Sequence, residues 1–354
     1  MQAESTRSLA GNRWVRPSVP EDAPAIIALM QEAGLHPHTE LAHLHWKYWR
    51  ERSDWSGSRS FVLTNGRDLL AHGAVVPGTV QWGSHQARMI HMIDWAARRD
   101  AIGAGVLLMK HVGRMTDFLL GVGGSKDTLS IMPRIGYRQW GAVRGYVRTL
   151  DPRGILQRPT RSRWKRAPRM VRSALWCITA PRRDLGGWVA RRIGIEQIDQ
   201  IAPVLPLQRP GLSVFGRSAA LMRHALACPI VSVELYALER DGRIGGYFLL
   251  SYAPGQARLA DCWMKSEDPA DWRALAHAAV HEAKRHGGMA ELTAWASRPE
   301  FARVLQACGF HGRLKMPIYV RASGDEAVPQ ECPRVQMLDS DEFYLYIGRN
   351  QLWA

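Results

Sequence analysis

The chain has 354 residues, of which 46% are hydrophobic and 22% are charged, and its formal net charge is +15. This length allows two compact domains with sizeable cores. The sequence has no apolar run of about 18 residues and its first residues lack an apolar core, so we expect neither a spanning helix nor a secretory signal.

The cysteines and histidines do not have the spacing of a metal site. The cysteines are odd in number and form no CxxC pair, which indicates reduced thiols. They are Cys177, Cys228, Cys262, Cys308 and Cys332. Four histidines lie between His36 and His45, but without a compact tetrahedral spacing and with few acidic ligands nearby. We therefore expect a cytoplasmic protein without a bound metal.

Hydrophobic patterning predicts a mixed order of strands and helices in the first 150 residues. Asn65-Gly66 between two alternating runs is a strong signal for a β-hairpin. The predicted strands lie at 14–16, 60–64, 69–76, 79–82, 88–94, 117–122 and 142–149, and the predicted helices at 20–34, 41–49, 106–115 and 125–135.

The stretch from residue 88 to residue 115 carries the strongest chemical signal. An alternating strand at 88–94 is followed by a basic turn at 98–100 and a glycine turn at 103–105, after which apolar residues recur at helical spacing. Free N–H groups at such a helix start can bind a phosphate, and glycines let the backbone approach an anion closely. The arginines would add charge-assisted contacts. A tight entry turn without any ligand has the same pattern.

The second half of the chain repeats the order of the first, which we interpret as an internal duplication. Its predicted strands lie at 231–238, 244–252, 258–264, 289–295 and 316–320, and its predicted helices at 194–205, 268–286 and 299–308. The second long helix begins with SEDPADW in place of a glycine turn, which predicts an ordinary N-terminal cap. The predicted divisions are an N-terminal domain at 1–150, a basic connector at 151–193, a C-terminal domain at 194–325 and a tail at 326–354.

The order of elements resembles the GNAT acyltransferase fold: hairpin strands, a strand leading into an anion-binding turn and helix, then a strand and a short helix ending in Gly136-Tyr137. Over residues 13–149 and 194–320 the chain resembles a tandem GNAT protein, of the kind that includes the FemABX-like transferases. The resemblance implies an α/β fold with a mixed sheet, two tandem GNAT-like domains, and acetyl-CoA or a longer acyl-CoA as co-substrate.

In that family an Arg/Gln-x-x-Gly-x-Gly/Ala loop binds the pyrophosphate of acyl-CoA through backbone N–H groups. If the two glycines of this chain are the motif's glycines, Asp100 occupies the Arg/Gln position, where its charge is unfavourable beside phosphate. If Arg99 is aligned instead, Ile102 replaces the first glycine and Ala104 fills the second small position. The resemblance implies coenzyme-binding residues Arg98, Arg99, Ile102, Gly103, Ala104, Gly105 and Ser125.

The family's short helix carries an Asn near its start and, four residues before the closing Gly, a Tyr that often protonates the leaving thiolate. Ser125 and Met132 occupy those positions here, and Arg298 and Leu305 occupy them in the second half. A thiol with a pKa of roughly 8–9 can leave with help from water or another donor, so the loss of the Tyr does not exclude catalysis.

An acceptor amine must lose a proton before or during attack on a thioester. Asp94, which lies just before the basic turn, is the first candidate for this role, and His91 on the same strand is the second. In the alternative interpretation Asp94 pairs with Arg98 or Arg99 and never contacts the substrate. Three residues of the second predicted helix have two alternative interpretations: they line an acceptor cleft, or they belong to the core. They are Trp46, Lys47 and Tyr48.

Most of the net charge lies in and around the connector. Residues 138–192 include fifteen Lys and Arg and only two acidic residues, a net charge of +13. Apolar residues at 170–178 recur at helical spacing, with tryptophans and arginines around them. Such a segment can lie on an anionic membrane surface, bind nucleic acid such as aminoacyl-tRNA, or form a solvated linker whose apolar face packs back onto the domains.

Together these patterns lead to the hypothesis of an acyltransferase that moves an acyl group from acyl-CoA to an amine. The resemblance and the connector suggest an amino sugar of a lipid- or nucleotide-linked cell-surface polysaccharide precursor as the acceptor, at the inner face of the membrane. One alternative is a FemABX-like transferase that uses aminoacyl-tRNA. The other is a degenerate tandem protein that binds a ligand or partner without catalysis.

Overall fold

The computed structural model describes residues 13–157, 166–206, 213–324 and 328–346, without the side chains of residues 155–157 and 166. The chain falls into two structural units that are not contiguous in sequence. The N-terminal unit comprises residues 1–140 and 318–330, and the C-terminal unit comprises residues 141–317 and 331–354. Residues 158–165 of the predicted connector and 347–354 of the predicted tail lie outside the described residues.

Strands and helices are mixed along the described chain. The strands are β1 (Trp14–Pro17), β2 (Ser60–Thr64), β3 (Leu69–Trp82), β4 (His85–Ala97), β5 (Phe118–Val122), β6 (Arg138–Thr149), β7 (Val189–Ile193), β8 (Val214–Phe215), β9 (Ser232–Arg240), β10 (Arg243–Ala253), β11 (Gln256–Met264), β12 (Glu291–Ala296) and β13 (His311–Ala322). The helices are α1 (Ala23–Glu32), α2 (Leu41–Leu44), α3 (Ala104–Gly113), α4 (Lys126–Ile131), α5 (Arg166–Ile178), α6 (Ala219–Leu226), α7 (Pro269–His286) and α8 (Pro299–Ala307).

The N-terminal unit is built on a mixed sheet in which β1, β2, β3, β4 and β5 follow one another. Residues 318–322 of β13 pair antiparallel with β5. The pairs from β1 to β4 are antiparallel, whereas β4 and β5 are parallel and are joined by α3. A parallel pair needs such a crossover, and here it places the start of α3 directly after the end of β4.

The sheet of the N-terminal unit packs against a helix on each face. Phe61 and Leu63 of β2 belong to a core cluster with Leu108 and Val112 of α3. Val62, between them, belongs to a different cluster that contains the buried residues of α1. Because alternate side chains of a strand point to opposite faces, the two helices lie on opposite sides of the sheet.

The C-terminal unit contains the strands β6, β12, β11, β10, β9 and β7 in that order. β11 and β12 are parallel and are joined by α7, and the other pairs are antiparallel. Leu275 and Ala279 of α7 pack in one core cluster with Phe248 and Leu250 of β10. A long apolar helix face therefore covers the centre of this sheet.

The mixed α/β fold predicted from the sequence is confirmed, and the hairpin at Asn65-Gly66 is the turn between β2 and β3. The separate strand predicted at 79–82 is wrong, because Gly78 pairs with Met89 and continues the ladder through a single strand β3. The helix predicted at 41–49 is the short α2 followed by a π-helical turn, His45–Trp49.

The structural units differ from the predicted linear boundary at residue 150. The boundary falls within β6, and the end of β13 returns to the N-terminal unit because it pairs with β5. Within the predicted connector, the described residues form a 3-10 turn (Pro152–Gln157), helix α5 and strand β7. The internal duplication stays a prediction.

Two general features of the described residues bear on function. No helix among them combines the length and the hydrophobicity that crossing a bilayer requires. No group of three or more His, Cys, Asp or Glu side chains in the described ranges is arranged to hold a metal ion.

Candidate functional site

Strands β4 and β5 of the N-terminal unit separate at their carboxyl ends. Their parallel pairing runs only from Met89 opposite Phe118 to His91 opposite Leu120. β4 then continues to Ala97 without further pairing to β5. Ligands of α/β proteins usually bind at the carboxyl ends of such parallel strands. The separation therefore marks this end of the sheet as the place to look for a site.

Helix α3 begins beside this separation with an uncapped first turn. Its N-cap residue, Gly103, has φ +79°, a left-handed conformation that glycine adopts without strain, and no side chain caps the turn. The N–H of Ala104 donates to the carbonyl of Ala101 at 3.0 Å. The N–H groups of Gly105 and Val106 have no acceptor among the described residues. Unpaired amides at a helix start are suited to bind an anion.

The space in front of Gly103 is open. A Cβ atom at this position would meet no heavy atom within 4 Å. The side chain of the preceding residue, Ile102, is 90% exposed. Arg99 is also exposed, and no acidic partner is found for it in the described part of the chain. The predicted phosphate loop is therefore accessible from solvent.

Arg98 and Asp100 form a local ion pair in the basic turn. The guanidinium donates two hydrogen bonds to the carboxylate, at 2.7 and 3.0 Å. The hydrogen bonds from Arg98 lower the pKa of Asp100, which therefore stays ionised. Because the two charges offset each other, Asp100 repels a nearby phosphate less than its sequence position suggests.

Gly105 allows close packing of α3 against β4, a role that its place in the predicted phosphate-binding motif does not indicate. The indole N–H of Trp95 donates to the carbonyl of Gly105 at 3.1 Å. A Cβ atom at Gly105 would lie 3.0 Å from Nε1 of Trp95 and 3.4 Å from Cβ of Ala97. The absence of a side chain at Gly105 therefore lets α3 pack closely against β4, whereas Gly103 faces open space.

His91 lies at the last position of β4 that pairs with β5, and it is buried. The N–H of Val122 donates to its Nε2 at 3.4 Å. This bond crosses from β5 to β4 where the ladder ends, so it helps to hold the two strands at the point of separation. Because the bond is long, it engages the Nε2 lone pair only weakly.

Asp94 lies at an irregularity of β4. The β3–β4 ladder shifts register here, and Asp94 has φ +50°, which is uncommon for a residue with a side chain. Its Oδ2 accepts the hydroxyl of Tyr48 at 2.7 Å and lies 2.5 Å from Nζ of Lys47. Asp94 therefore pairs with the helix at 41–49, and the alternative pairing with Arg98 or Arg99 is wrong.

Burial raises the pKa of Asp94, but Lys47 and Tyr48 outweigh burial and lower the pKa below its ordinary value. Asp94 is therefore an anion at neutral pH. Both side-chain contacts end on Oδ2, and no described residue bonds Oδ1. One carboxylate oxygen thus remains for a further donor.

A chain of hydrogen bonds supports the backbone at Asp94. Nδ1 of His72 lies 3.1 Å from the carbonyl of Asp94, so Nδ1 carries the proton and Nε2 accepts the hydroxyl of Ser60 at 3.0 Å. Ser60 in turn accepts the hydroxyl of Ser18 at 2.6 Å, and Ser18 accepts the indole N–H of Trp49 at 3.0 Å. These hydrogen bonds hold the backbone carbonyl of Asp94 at the register shift of β4.

The histidines near Asp94 are neutral at pH 7. Burial lowers the pKa of His72 to about 4 and that of His43 to about 3, and it also lowers the pKa of His38. These histidines therefore add no positive charge to the Lys47–Asp94 pair. Sequence reasoning missed His72, because a single histidine in an apolar strand gives no signal of its partners.

Ser125 and Met132, which occupy the positions of the family's Asn and Tyr, have other structural roles here. Ser125 is the N-cap of α4, and its Oγ accepts the N–H of Thr128 at 3.2 Å. Met132 is buried in the core of the N-terminal unit. It fills the space beside Gly121, where a Cβ would lie 2.4 Å from its methyl carbon. No hydroxyl is placed at this position for a leaving thiolate.

Helix α7 of the C-terminal unit confirms the predicted ordinary cap. Oδ1 of Asp268 accepts the N–H of Ala270 at 2.8 Å, and Asp271 adds a second carboxylate in the first turn. These negative charges occupy the positive end of the helix. The start of α7 therefore lacks the open, uncompensated amides found at the start of α3.

No protein-family model and no curated protein matches this sequence. Solved structures do match it. A GCN5-related N-acetyltransferase from Anabaena variabilis has a TM-score of 0.56 at 10% identity, over 88% of this chain and 73% of that chain. Saccharomyces cerevisiae N-myristoyltransferase with bound myristoyl-CoA and inhibitors has a TM-score of 0.60 at 14% identity, over 90% and 82%. The chain has the GNAT fold.

A probable N-acyltransferase from Enterococcus faecalis gives the same result, with a TM-score of 0.57 at 12% identity, over 88% of this chain and 72% of that chain. At these identities the likeness establishes the GNAT fold, and the predicted resemblance to this fold is confirmed. The tandem duplication, the similarity to FemABX-like transferases and the roles of the site residues stay predictions.

Proposed function

We propose that the protein is an acyltransferase whose N-terminal unit binds acyl-CoA and transfers the acyl group to an amine. The observation that carries this proposal is the uncapped start of α3, with its open approach, beside the separated ends of β4 and β5. The GNAT fold supports it, since a structure that shares this fold was solved with bound myristoyl-CoA.

The diphosphate of the coenzyme would bind at the first turn of α3. The unpaired N–H groups of Gly105 and Val106 would donate to phosphate oxygens, and Gly103 would leave the approach clear. Arg98 and Arg99 would add positive charge. The remaining predicted coenzyme contacts are the backbone and side chains of Ile102, Ala104 and Ser125.

The chemistry requires the amine nitrogen to attack the thioester carbonyl and the C–S bond to break. The nitrogen loses a proton, and the leaving sulfur gains one. Asp94 would accept a hydrogen bond from the amine through Oδ1, since its lowered pKa keeps it anionic. His91 would receive the proton through Nε2, which accepts the N–H of Val122 at 3.4 Å. Solvent would protonate the leaving thiolate, because Met132 has no proton to give.

The acceptor is proposed only as a class. Oδ1 of Asp94 is a hydrogen-bond acceptor, which suits the N–H of an amine. An amino sugar on a lipid- or nucleotide-linked precursor belongs to this class. The buried Met132 at the family's Tyr position favours a second candidate, a protein that binds acyl-CoA without turnover.

A matched pair of substitutions at Gly103 tests coenzyme binding. Asp and Asn are nearly isosteric, and both tolerate a positive φ better than other residues do, so G103D and G103N should fold alike. Only G103D places a negative charge beside the diphosphate. For charges about 5 Å apart, an effective dielectric between about 80 and 20 gives a repulsion of about 1–3 kcal/mol. We expect binding of CoA to G103D to be about 5-fold to 150-fold weaker than to G103N.

Titration calorimetry with CoA, acetyl-CoA and myristoyl-CoA measures this difference, and a melting curve for each variant checks its folding. Equal affinity of the two variants would place the diphosphate elsewhere. No binding of any of the three compounds to the wild-type protein would refute the proposed function. Incubation of acyl-CoA with amino sugars, followed by mass spectrometry, then separates a transferase from a protein that only binds.

A further inference from the structure

Helix α5 exposes an apolar face to solvent, which is not expected of a simple linker. Its apolar residues lie on one side of the helix at i, i+1, i+4, i+5 and i+8 from residue 170. Four of them are between 39% and 79% exposed: Met170, Val171, Leu175 and Ile178. The expectation that this face packs back onto the domains is therefore not met among the described residues, and an apolar stripe faces solvent.

The opposite face of α5 fixes this orientation. Ser173 is buried, and the indole of Trp176 stacks on the ring of His311 in β13, with 3.8 Å between ring centroids. The guanidinium groups of Arg172 and Arg313 lie over the same indole, at 4.8 and 4.7 Å from its centroid. These contacts lie within the C-terminal unit. They hold the helix so that it cannot turn its apolar side inward without breaking the stack.

Positive charge accompanies the apolar stripe. Arg182 and Arg183 follow the helix and are exposed. Residues 138–192 as a whole carry fifteen basic and two acidic residues. A partner for this surface must therefore be apolar and negatively charged at once.

We propose that α5 is a docking helix that lies in the interface of an anionic lipid bilayer. A helix of 13 residues is about 20 Å long, which is enough to rest in the headgroup region but too short to span the membrane. Its apolar stripe would enter the boundary between headgroups and acyl chains, and lipid phosphates would supply the negative charge that the protein lacks here. This inference does not depend on acyl-CoA binding.

Vesicle sedimentation tests the inference with the full-length protein. We expect binding to vesicles of phosphatidylglycerol and phosphatidylethanolamine, and at least 10-fold weaker binding to pure phosphatidylcholine. The double variant L175Q/I178Q should lose at least 10-fold in vesicle affinity, since it removes two of the four exposed apolar side chains. The variant R182Q/R183Q should lose about 5-fold for each charge.

L41Q/V189Q is the matched control, because Leu41 and Val189 are equally exposed apolar residues, 66% and 62%, that lie outside α5. It should bind vesicles as the wild type does. All variants change exposed side chains, and their melting temperatures should match.

Three results would overturn the inference. The first is equal binding of L175Q/I178Q and the wild type to anionic vesicles. The second is a wild-type protein that is a dimer and does not bind vesicles, together with an L175Q/I178Q variant that is a monomer. This result would show that a second copy covers the stripe. The third is salt-dependent binding of tRNA without any vesicle binding, which would assign the positive charge to nucleic acid.

Discussion

Replacing Asp94 by Asn tests whether the Lys47–Asp94 pair holds β4 in its bulged form. The substitution keeps the shape of the side chain, and Asn can still accept the hydroxyl of Tyr48. It removes the negative charge that lies 2.5 Å from Nζ of Lys47. Both side chains are at least 90% buried, with relative exposures of 7% for Lys47 and 10% for Asp94. The ammonium group would therefore lose the Asp94 counter-charge while it stays largely buried.

The expected loss follows from two opposing quantities. At an effective dielectric of about 20, unit charges at this separation attract by about 7 kcal/mol. The energy needed to desolvate the carboxylate in the native protein offsets part of this attraction. Breaking a buried pair by removing one partner typically costs about 3–5 kcal/mol, because the other charge stays buried. We expect D94N to lose about that much free energy of unfolding.

Urea unfolding followed by circular dichroism measures the loss, with D100N as the control. Asp100 also pairs with an arginine, but in the exposed turn, so D100N should unfold like the wild type. The double variant D94N/K47M should recover part of the loss, since it removes the ammonium group that D94N deprives of the Asp94 carboxylate. A D94N protein as stable as D100N would refute the assigned pair, as would a double variant whose loss is the sum of the single losses.

The pH dependence of the same variants gives an independent check. Because the folded-state pKa of Asp94 lies below its unfolded value, its contribution to stability is present above about pH 4. The contribution is lost as the pH falls through the folded-state pKa. The stability difference between wild type and D94N should therefore be constant near neutral pH and shrink in acid. A difference that grows below pH 4 would contradict the assignment.

Two further predictions concern buried groups of the C-terminal unit. Burial raises the pKa of Glu342 to about 7, so the folded state binds the proton of this carboxyl more tightly than the unfolded state does. The free energy of unfolding should therefore fall as the pH rises from about 4.5 to 7. Melting curves of E342Q should lack this fall. Burial also raises the pKa of the Cys262 thiol to about 12, so this thiol should not react with Ellman's reagent at pH 8 until the protein unfolds. Rapid labelling of Cys262 in the native protein, found by peptide mapping, would contradict its buried position.

Local patterns were sufficient to predict the elements that frame the site. Asn65-Gly66 identified the β2–β3 hairpin, and the switch from alternating to helical spacing located β4 and α3 within a few residues. These signals act over a few neighbouring residues, so a single sequence contains them. The strand predicted at 79–82 failed for the same reason. Pro77 and Gly78, between the two predicted strands, are residue types that favour a turn, whereas the pairing of Gly78 with Met89 of β4 shows that the strand continues.

The partners of Asp94 could not be predicted, because they depend on the fold. Tyr48 lies 46 positions away in the sequence. It reaches Asp94 through a π-helical turn on one side and a register shift of β4 on the other. Neither irregularity has a sequence pattern. For α5, the sequence showed an apolar face, but only the stacking of Trp176 on His311 shows that this face points to solvent.

The two long crossover helices explain why one unit alone is expected to bind the coenzyme. α3 and α7 both connect parallel neighbours of a sheet, so both present the positive end of a helix beside the carboxyl end of a strand. At α7 the carboxylate of Asp268 already occupies that end and would repel a diphosphate. At α3 the corresponding residue is Gly103, which supplies no competing acceptor and leaves two amides unpaired. Similar backbone geometry thus gives a closed helix start in one unit and an open helix start, the proposed anion site, in the other, and the difference depends on one cap residue.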